Sequence, residues 1–207
     1  MKKVSKYILL IIVFLPLLYF RDFTPNNELK YLSIADEALR SGTYLTFTHE
    51  GSIYTDKPPL YLWLIMLCKQ LLGHHSMLLL GLFSFIPALL ILYVMEKWLS
   101  PYIPSNYLFT FSLMLITTGL FAGSAIVLRM DMLMSLFILL ALYTFYRMYT
   151  GQAGKGAKVL LPLYIFLALF TKGPLGLIIP FFSILVFLLY QKEGKTFFSY
   201  FGLLQWF

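Results

Sequence analysis

The sequence predicts an all-α polytopic membrane protein, and three observations carry that prediction. The 207 residues are 60% hydrophobic and only 12% charged, against roughly half and a quarter in a soluble domain. Apolar runs near spanning length recur along the chain. The basic surplus of +7 collects on one side of those runs, as lysine and arginine do in proteins that cross a bilayer repeatedly.

The start, MKKVSKYILLIIVFLPLLYF, sets bases before an apolar run. No small-x-small cleavage site precedes Arg21, so a retained first helix is expected near 5–20 rather than a removed signal peptide. Further spans are expected over 76–95, 107–128, 132–148, 159–171 and 174–190, and 196–207 begins another. With the N-terminus inside, the inner side carries nine bases (Lys2, Lys3, Lys6, Lys97, Arg147, Lys155, Lys158, Lys192, Lys195) and two acids (Glu96, Glu193). The outer side carries seven bases (Arg21, Lys30, Arg40, Lys57, Lys69, Arg129, Lys172) and seven acids (Asp22, Glu28, Asp36, Glu37, Glu50, Asp56, Asp131). The basic balance therefore reports topology and gives no reason to expect a nucleic-acid partner. Lys155 and Lys158 read as a plain cytoplasmic loop. Residues 1–207 read as a single membrane domain, and the lone Cys68 excludes an internal disulfide framework or a four-Cys zinc site.

The outer segment 21–75 is too polar to cross and too apolar for a free loop. NNELKYLSIADEALRSG reads as a helix capped by Asn26 or Asn27, with Glu28 in its first turn and Gly42 at its end. Tyr31, Ile34, Ala35, Ala38 and Leu39 make one apolar stripe. TYLTFTHEGSIYTD is expected to be extended, turning at Glu50-Gly51. PPLYLWLIMLCKQLLG is a second helix, short for a crossing and carrying Lys69, and is expected to lie in the interface.

Three sites place charge at the outer boundary: Asp56-Lys57, Arg129-Met130-Asp131, and Thr171-Lys172-Gly173-Pro174. Short loops carry polar residues anyway and a boundary lysine can simply snorkel, yet charge at membrane depth is costly and often functional. Bases there suit a lipid-linked phosphate. A nearby acid can take a proton from an acceptor hydroxyl, and a carboxylate such as Asp56 can hold a divalent cation. The residues favour an enzyme acting on a polyprenyl-phosphate or similar membrane lipid. His74-His75 and His49 read as interfacial loop residues, since metal sites need more converging ligands. Gly173 and Gly176 with Pro174 suit either a dipping loop or ordinary helix punctuation.

RDFTPNNELKYLSIADEALRSGTYL, YTDKPPLYLWL, RMDMLMSLFILLALY and LFTKGPLGLIIP, in this order, resemble the bacterial GT-C type lipid-linked-sugar glycosyltransferases, in particular the aminoarabinose transferase and protein O-mannosyltransferase group. The resemblance implies a GT-C-like fold with interfacial helices in the first periplasmic loop, in the bacterial inner membrane. The N-terminus would be cytoplasmic and the active face periplasmic. It implies a polyprenyl-phosphate-sugar donor and a lipid A, glycan or protein acceptor. Lys57 matches a lysine that contacts lipid phosphate, Tyr54 lines that site, and Asp56 matches a carboxylate able to bind a divalent metal cation. Asp131 matches the acid of the second outer loop, next to Arg129. Lys30 stands where the family usually has arginine, and Lys172 in its TKG turn.

The family also has an aspartate just before Glu28 as its leading catalytic acid. Asn26 and Asn27 occupy that place here, so Glu28, Asn27 and Asp131 are the catalytic candidates. The family is far longer, and the end at Gln205-Trp206-Phe207 reads as a fragment or truncated product. The rival readings are a transporter or lipid-binding membrane protein, and a non-catalytic remnant.

Overall fold

A computed structural model describes residues 3–25 and 27–201. Helix α1, Lys3–Phe20, is followed by α2, Glu28–Ser41, the strands β1, Phe47–His49, and β2, Ser52–Tyr54, and α3, Leu60–Leu72. Then come α4, Met77–Leu99; α5, Ser105–Thr117; α6, Gly119–Ile126; α7, Met130–Tyr149; α8, Ala157–Lys172; α9, Leu175–Tyr190; and a 3₁₀ segment, Gly194–Phe201. This is the expected all-α polytopic membrane protein. Asn26, one of the two expected caps, and residues 202–207 of the expected last span lie outside the described residues.

Helix α7 packs on α4, α8 and α9. Phe14 and Leu18 of α1 pack on Phe85, Ala88 and Leu92 of α4. Phe145 of α7 meets Leu161 of α8 and Ile184 and Leu188 of α9. Prolines 16, 87, 162 and 180 sit inside helices, which bundle neighbours make tolerable. Gly176 is what lets α9 start against α8. A β-carbon there would lie 2.2 Å from the carbonyl carbon of Ala168 and 2.4 Å from the amide nitrogen of Leu169.

Helices α4 and α7 are long and apolar enough to cross a bilayer. At 16 residues each, α8 and α9 are about 24 Å long. One expected span is corrected. The run 107–128 is two helices, α5 and α6, bent by 68°. The Thr117 and Thr118 hydroxyls donate back to the carbonyls of Leu113 at 2.7 Å and Met114 at 2.9 Å, and Thr118 takes an extended backbone. Hydroxyl back-bonding bends a helix.

The segment 21–75 folds as a lid over one end of this bundle. Ile34, Ala35 and Ala38 of α2 pack on Tyr61, Leu62 and Ile65 of α3, with Leu80, Leu128 and Met130 beneath. The strands pair antiparallel, His49 opposite Ser52, and turn at Glu50 and Gly51, both at positive φ, as expected. Asn27 stands at the cap position of α2, but its backbone is helical and its side chain makes no capping hydrogen bond. The expected side-chain cap at Asn27 is therefore corrected.

Candidate functional site

The entry to α2 is organised by Glu28. Its side chain is fully buried, and it accepts Nη1 and Nη2 of Arg21 at 2.8 and 2.6 Å, the Thr24 amide at 2.7 Å and the Leu128 amide at 2.6 Å. Two carboxylate oxygens offer about four acceptor positions, and four donors fill them. Burial pushes the Glu28 carboxyl up, but Arg21 and the two amides outweigh it and hold the group below its ordinary value. These four donors leave Glu28 no free acceptor position for a substrate hydroxyl. Asn27, one residue earlier, is exposed.

The Leu128 bond fixes the start of the second boundary stretch. The next residue is held from α4: the Arg129 amide donates to Ser84 Oγ at 3.2 Å, and Ser84 donates to the Arg129 carbonyl at 3.2 Å. Buried Tyr61 lies 3.4 Å from the same hydroxyl. Arg129 is extended and α7 begins at Met130, so Asp131 falls in its first turn, where the helix dipole favours an anion. One oxygen of Asp131 lies 3.4 Å from Arg129 Nε, and the other accepts from Lys172.

Lys172 ends α8, and Gly173 follows at φ +93, a conformation that favours glycine. A β-carbon on Gly173 would lie 4.0 Å from Pro58 Cγ, so the TKGP turn abuts YTDKPP. Trp63 and Phe170 join the same two elements, ring centres 5.5 Å apart. In YTDKPP, Tyr54 donates to Asp56 Oδ2 at 3.4 Å, and Lys57 Nζ lies 3.2 Å from Asp56 Oδ1. Lys30 Nζ stands 5.0 Å over the Tyr54 ring, a cation–π contact.

Tyr31 sits between these groups. Burial pushes its phenol up, as do the charges of Asp56 and Asp131, while Arg129 pulls it down. Tyr54 is pushed up by burial and by Tyr31 and Asp56. Four stretches far apart in sequence thus place Lys30, Lys57, Arg129, Lys172, Asp56, Asp131 and Tyr54 in one polar cluster. The Lys57 side chain is 24% exposed and that of Asp56 is 61% exposed, so the cluster is open to a ligand.

No family model matches the chain. It is similar to an uncharacterized protein of Aquifex aeolicus (strain VF5), 27% identical over 202 residues, covering 92% of this chain and 39% of that one. It is also similar to an undecaprenyl phosphate-alpha-4-amino-4-deoxy-L-arabinose arabinosyl transferase 2 of Sodalis glossinidius (strain morsitans). There the identity is 26% over 194 residues, 88% of this chain and 34% of the relative. The chain thus spans between 34% and 39% of the length of these relatives. Two crystal structures of ArnT from Cupriavidus metallidurans superpose on it at 20% identity. The apo state gives a TM-score of 0.80 over 97% of this chain and 38% of ArnT. The state bound to undecaprenyl phosphate gives 0.81 over 97% and 37%. The chain carries the fold of ArnT over 38% of that protein's length.

Among the described residues no three of His, Cys, Asp and Glu converge, and the ammonium of Lys57 already lies beside Asp56, where it repels a second cation. His74 and His75 lie in the connection before α4, as expected, and His49 lies at the end of β1. His74 Nδ1 lies 3.0 Å from the Leu72 carbonyl, but His75 Nε2 meets Asp36 Oδ1 at 2.7 Å, alongside Lys69 Nζ at 2.5 Å. That cluster ties α2 to α3 and the start of α4. Burial raises the Asp36 carboxyl, but Lys69 and His75 hold it below its ordinary value.

Sequence reasoning missed Arg21, Ser84 and Leu128. Arg21 and Glu28 were legible as charges of opposite sign seven residues apart. Ser84 and the Leu128 amide carry no sequence signal.

Proposed function

We propose that this chain forms the lipid-phosphate-binding part of an integral membrane glycosyltransferase of the inner membrane, which moves a sugar from a polyprenyl-phosphate carrier to a periplasmic acceptor. The observation that carries this is the gathering of Lys30, Lys57, Arg129 and Lys172 around Asp56 and Asp131, at the end of the bundle covered by the 21–75 lid. The relative from Sodalis glossinidius is named for the undecaprenyl-phosphate-linked sugar, and one ArnT structure is bound to undecaprenyl phosphate. Both facts support the same ligand class here.

The charge arithmetic of the reaction fits. When the bond between the anomeric carbon and the phosphate oxygen breaks, a phosphodiester becomes a phosphomonoester and gains negative charge. Fixed cations stabilise that charge as it develops. Lys and Arg supply it through charge-assisted hydrogen bonds. A phosphate arriving at Arg129 and Lys172 competes with Asp131 for them. The carboxylate so released is the group in the cluster able to take the acceptor's proton. Lipid A, a glycan and a protein hydroxyl all provide such an acceptor.

A second reading, a lipid-phosphate-binding membrane protein without transfer, rests on one observation. Glu28 is fully engaged and Asn27 is an amide, so Asp131 is left as the one catalytic candidate that is a carboxylate with room to change partners. The two readings separate in an assay of sugar transfer from a polyprenyl-phosphate donor to water or a glycan acceptor. Transfer that is lost in Asp131→Asn supports the enzyme. Donor binding with no transfer supports the binding protein.

A further inference from the structure

One hydroxyl beneath the candidate site joins three parts of the fold. Ser84 of α4 is fully buried. A serine hydroxyl has one proton to donate and two acceptor positions. Its proton goes to the Arg129 carbonyl at 3.2 Å, and the Arg129 amide donates back to the same oxygen at 3.2 Å. With that proton placed, the buried Tyr61 hydroxyl of α3, 3.4 Å away, is the donor in the third contact. A helical serine commonly bonds the carbonyl one turn back. Ser84 instead holds both backbone groups of a residue 45 positions away.

The surface of α4 around Ser84 receives that stretch of chain. Gly81 lies one turn earlier, on the same face as Ser84. A β-carbon on Gly81 would lie 3.6 Å from the Ile126 carbonyl oxygen and 2.8 Å from Leu18 Cδ2. The chain leaving α6 therefore passes close over Gly81 and is bonded at Ser84. Val127 and Arg129 are both extended, and α7 starts at the next residue. Ser84 grips the peptide groups on either side of Arg129, while Glu28 grips the Leu128 amide from the lid.

The consequence is where two side chains point. The direction of a side chain from an extended residue follows from its backbone. Fixing both peptide groups of Arg129 fixes the departure of its guanidinium arm, whose Nε lies 3.4 Å from Asp131 Oδ2. It also fixes the first turn of α7, from which Asp131 reaches Lys172.

We propose that Ser84 is a positioning residue for phosphate binding: it acts through Arg129, holding that side chain toward the lipid phosphate and setting Asp131 where it competes for the same cations. The proposal rests on the lipid-phosphate reading of the cluster. A cation held in place before its ligand arrives loses less freedom on binding. The effect of Ser84 therefore falls on recognition of the phosphate and not on recognition of the lipid chain.

The test titrates the purified full chain with undecaprenyl phosphate and with undecaprenol, which lacks the phosphate, and reads the ratio of the two affinities. Ser84→Ala should lower that ratio about tenfold, the worth of one hydrogen bond to a charged group. Ser84→Cys, close in size and weaker in hydrogen bonding, should lower it in part, and it carries the test if Ser84→Ala does not fold. Tyr61→Phe leaves both bonds to Arg129 in place and should keep most of the ratio. A loss of stability alone would weaken both lipids alike and leave the ratio unchanged. In an Arg129→Ala background, Ser84→Ala should lower the ratio by less than about twofold, because the residue it acts through is gone. No preference for the phosphate in the wild-type chain would overturn the lipid-phosphate reading and the proposal with it. A wild-type preference that survives in Ser84→Ala, or in Ser84→Cys, would overturn the proposal alone, as would a full tenfold loss in the Arg129→Ala background.

Discussion

The carboxylate of Glu28 accepts the backbone amide of Leu128 at 2.6 Å, across 100 residues of sequence. That bond, with the pair to Arg21, joins the first outer segment to the stretch that carries Arg129 and Asp131. The candidate site is therefore assembled by an acid whose oxygens are already taken by protein donors.

Replacing Glu28 should unfasten the two halves of the site. Removing one partner of a buried ion pair costs about 3–5 kcal/mol, so Glu28→Gln should lower stability by about 3 kcal/mol, measured by thermal unfolding in detergent. Lipid-phosphate binding should weaken with it.

The same carboxylate predicts a pH dependence. The Glu28 and Asp36 carboxyls lie below their ordinary values in the folded chain. Each therefore contributes stability above the unfolded carboxylate range, about pH 4. That contribution is lost as pH falls through the lower folded values. Unfolding temperature should drop between pH 6 and pH 3, and the drop should be smaller in Glu28→Gln. An equal drop in both would remove Glu28 as a source of acid sensitivity.

Gly176 should tolerate no side chain. A β-carbon would strike the backbone of Ala168 and Leu169, which cannot swing aside as a flexible side chain can. Gly176→Ala should cost about 3 kcal/mol, at the upper end of ordinary overpacking. Gly123→Ala, where nothing lies within 4 Å, serves as the control and should unfold near the wild-type temperature.

Much of this architecture was legible in the sequence because it follows from local patterning. The apolar stripe and terminal Gly42 marked α2, the Glu50-Gly51 turn marked the hairpin, and the three charged boundary sites marked most of the cluster. The break between α5 and α6 was hidden because Thr117, Thr118 and Gly119 do not interrupt the apolar run. The bend comes from the hydroxyl bonds of Thr117 and Thr118 to the preceding turn. Glu28 was read as a catalytic candidate because its position next to Asn27 was visible and its four donors were not. The three residues that supply them, Arg21 and Thr24 nearby and Leu128 far off, come together only in the fold.

Asn27→Asp restores the acid that the resemblance places there. Asn27 is exposed and makes no side-chain cap, so stability should change by less than about 1 kcal/mol. Sugar transfer should rise in this variant. If transfer is unaltered while donor binding is intact, Asn27 is not what limits the chemistry.

The central claim, that four bases from separate stretches form one lipid-phosphate site, is tested most directly by titrating the purified chain with undecaprenyl phosphate. The comparison set is Lys57→Ala, Arg129→Ala and Lys172→Ala. A hydrogen bond to a charged group is worth about 1.5–3 kcal/mol, so each variant should weaken binding about tenfold or more while undecaprenol, which lacks the phosphate, binds poorly to all. Wild-type affinity in all three variants, or equal binding of undecaprenol and its phosphate, would contradict the site.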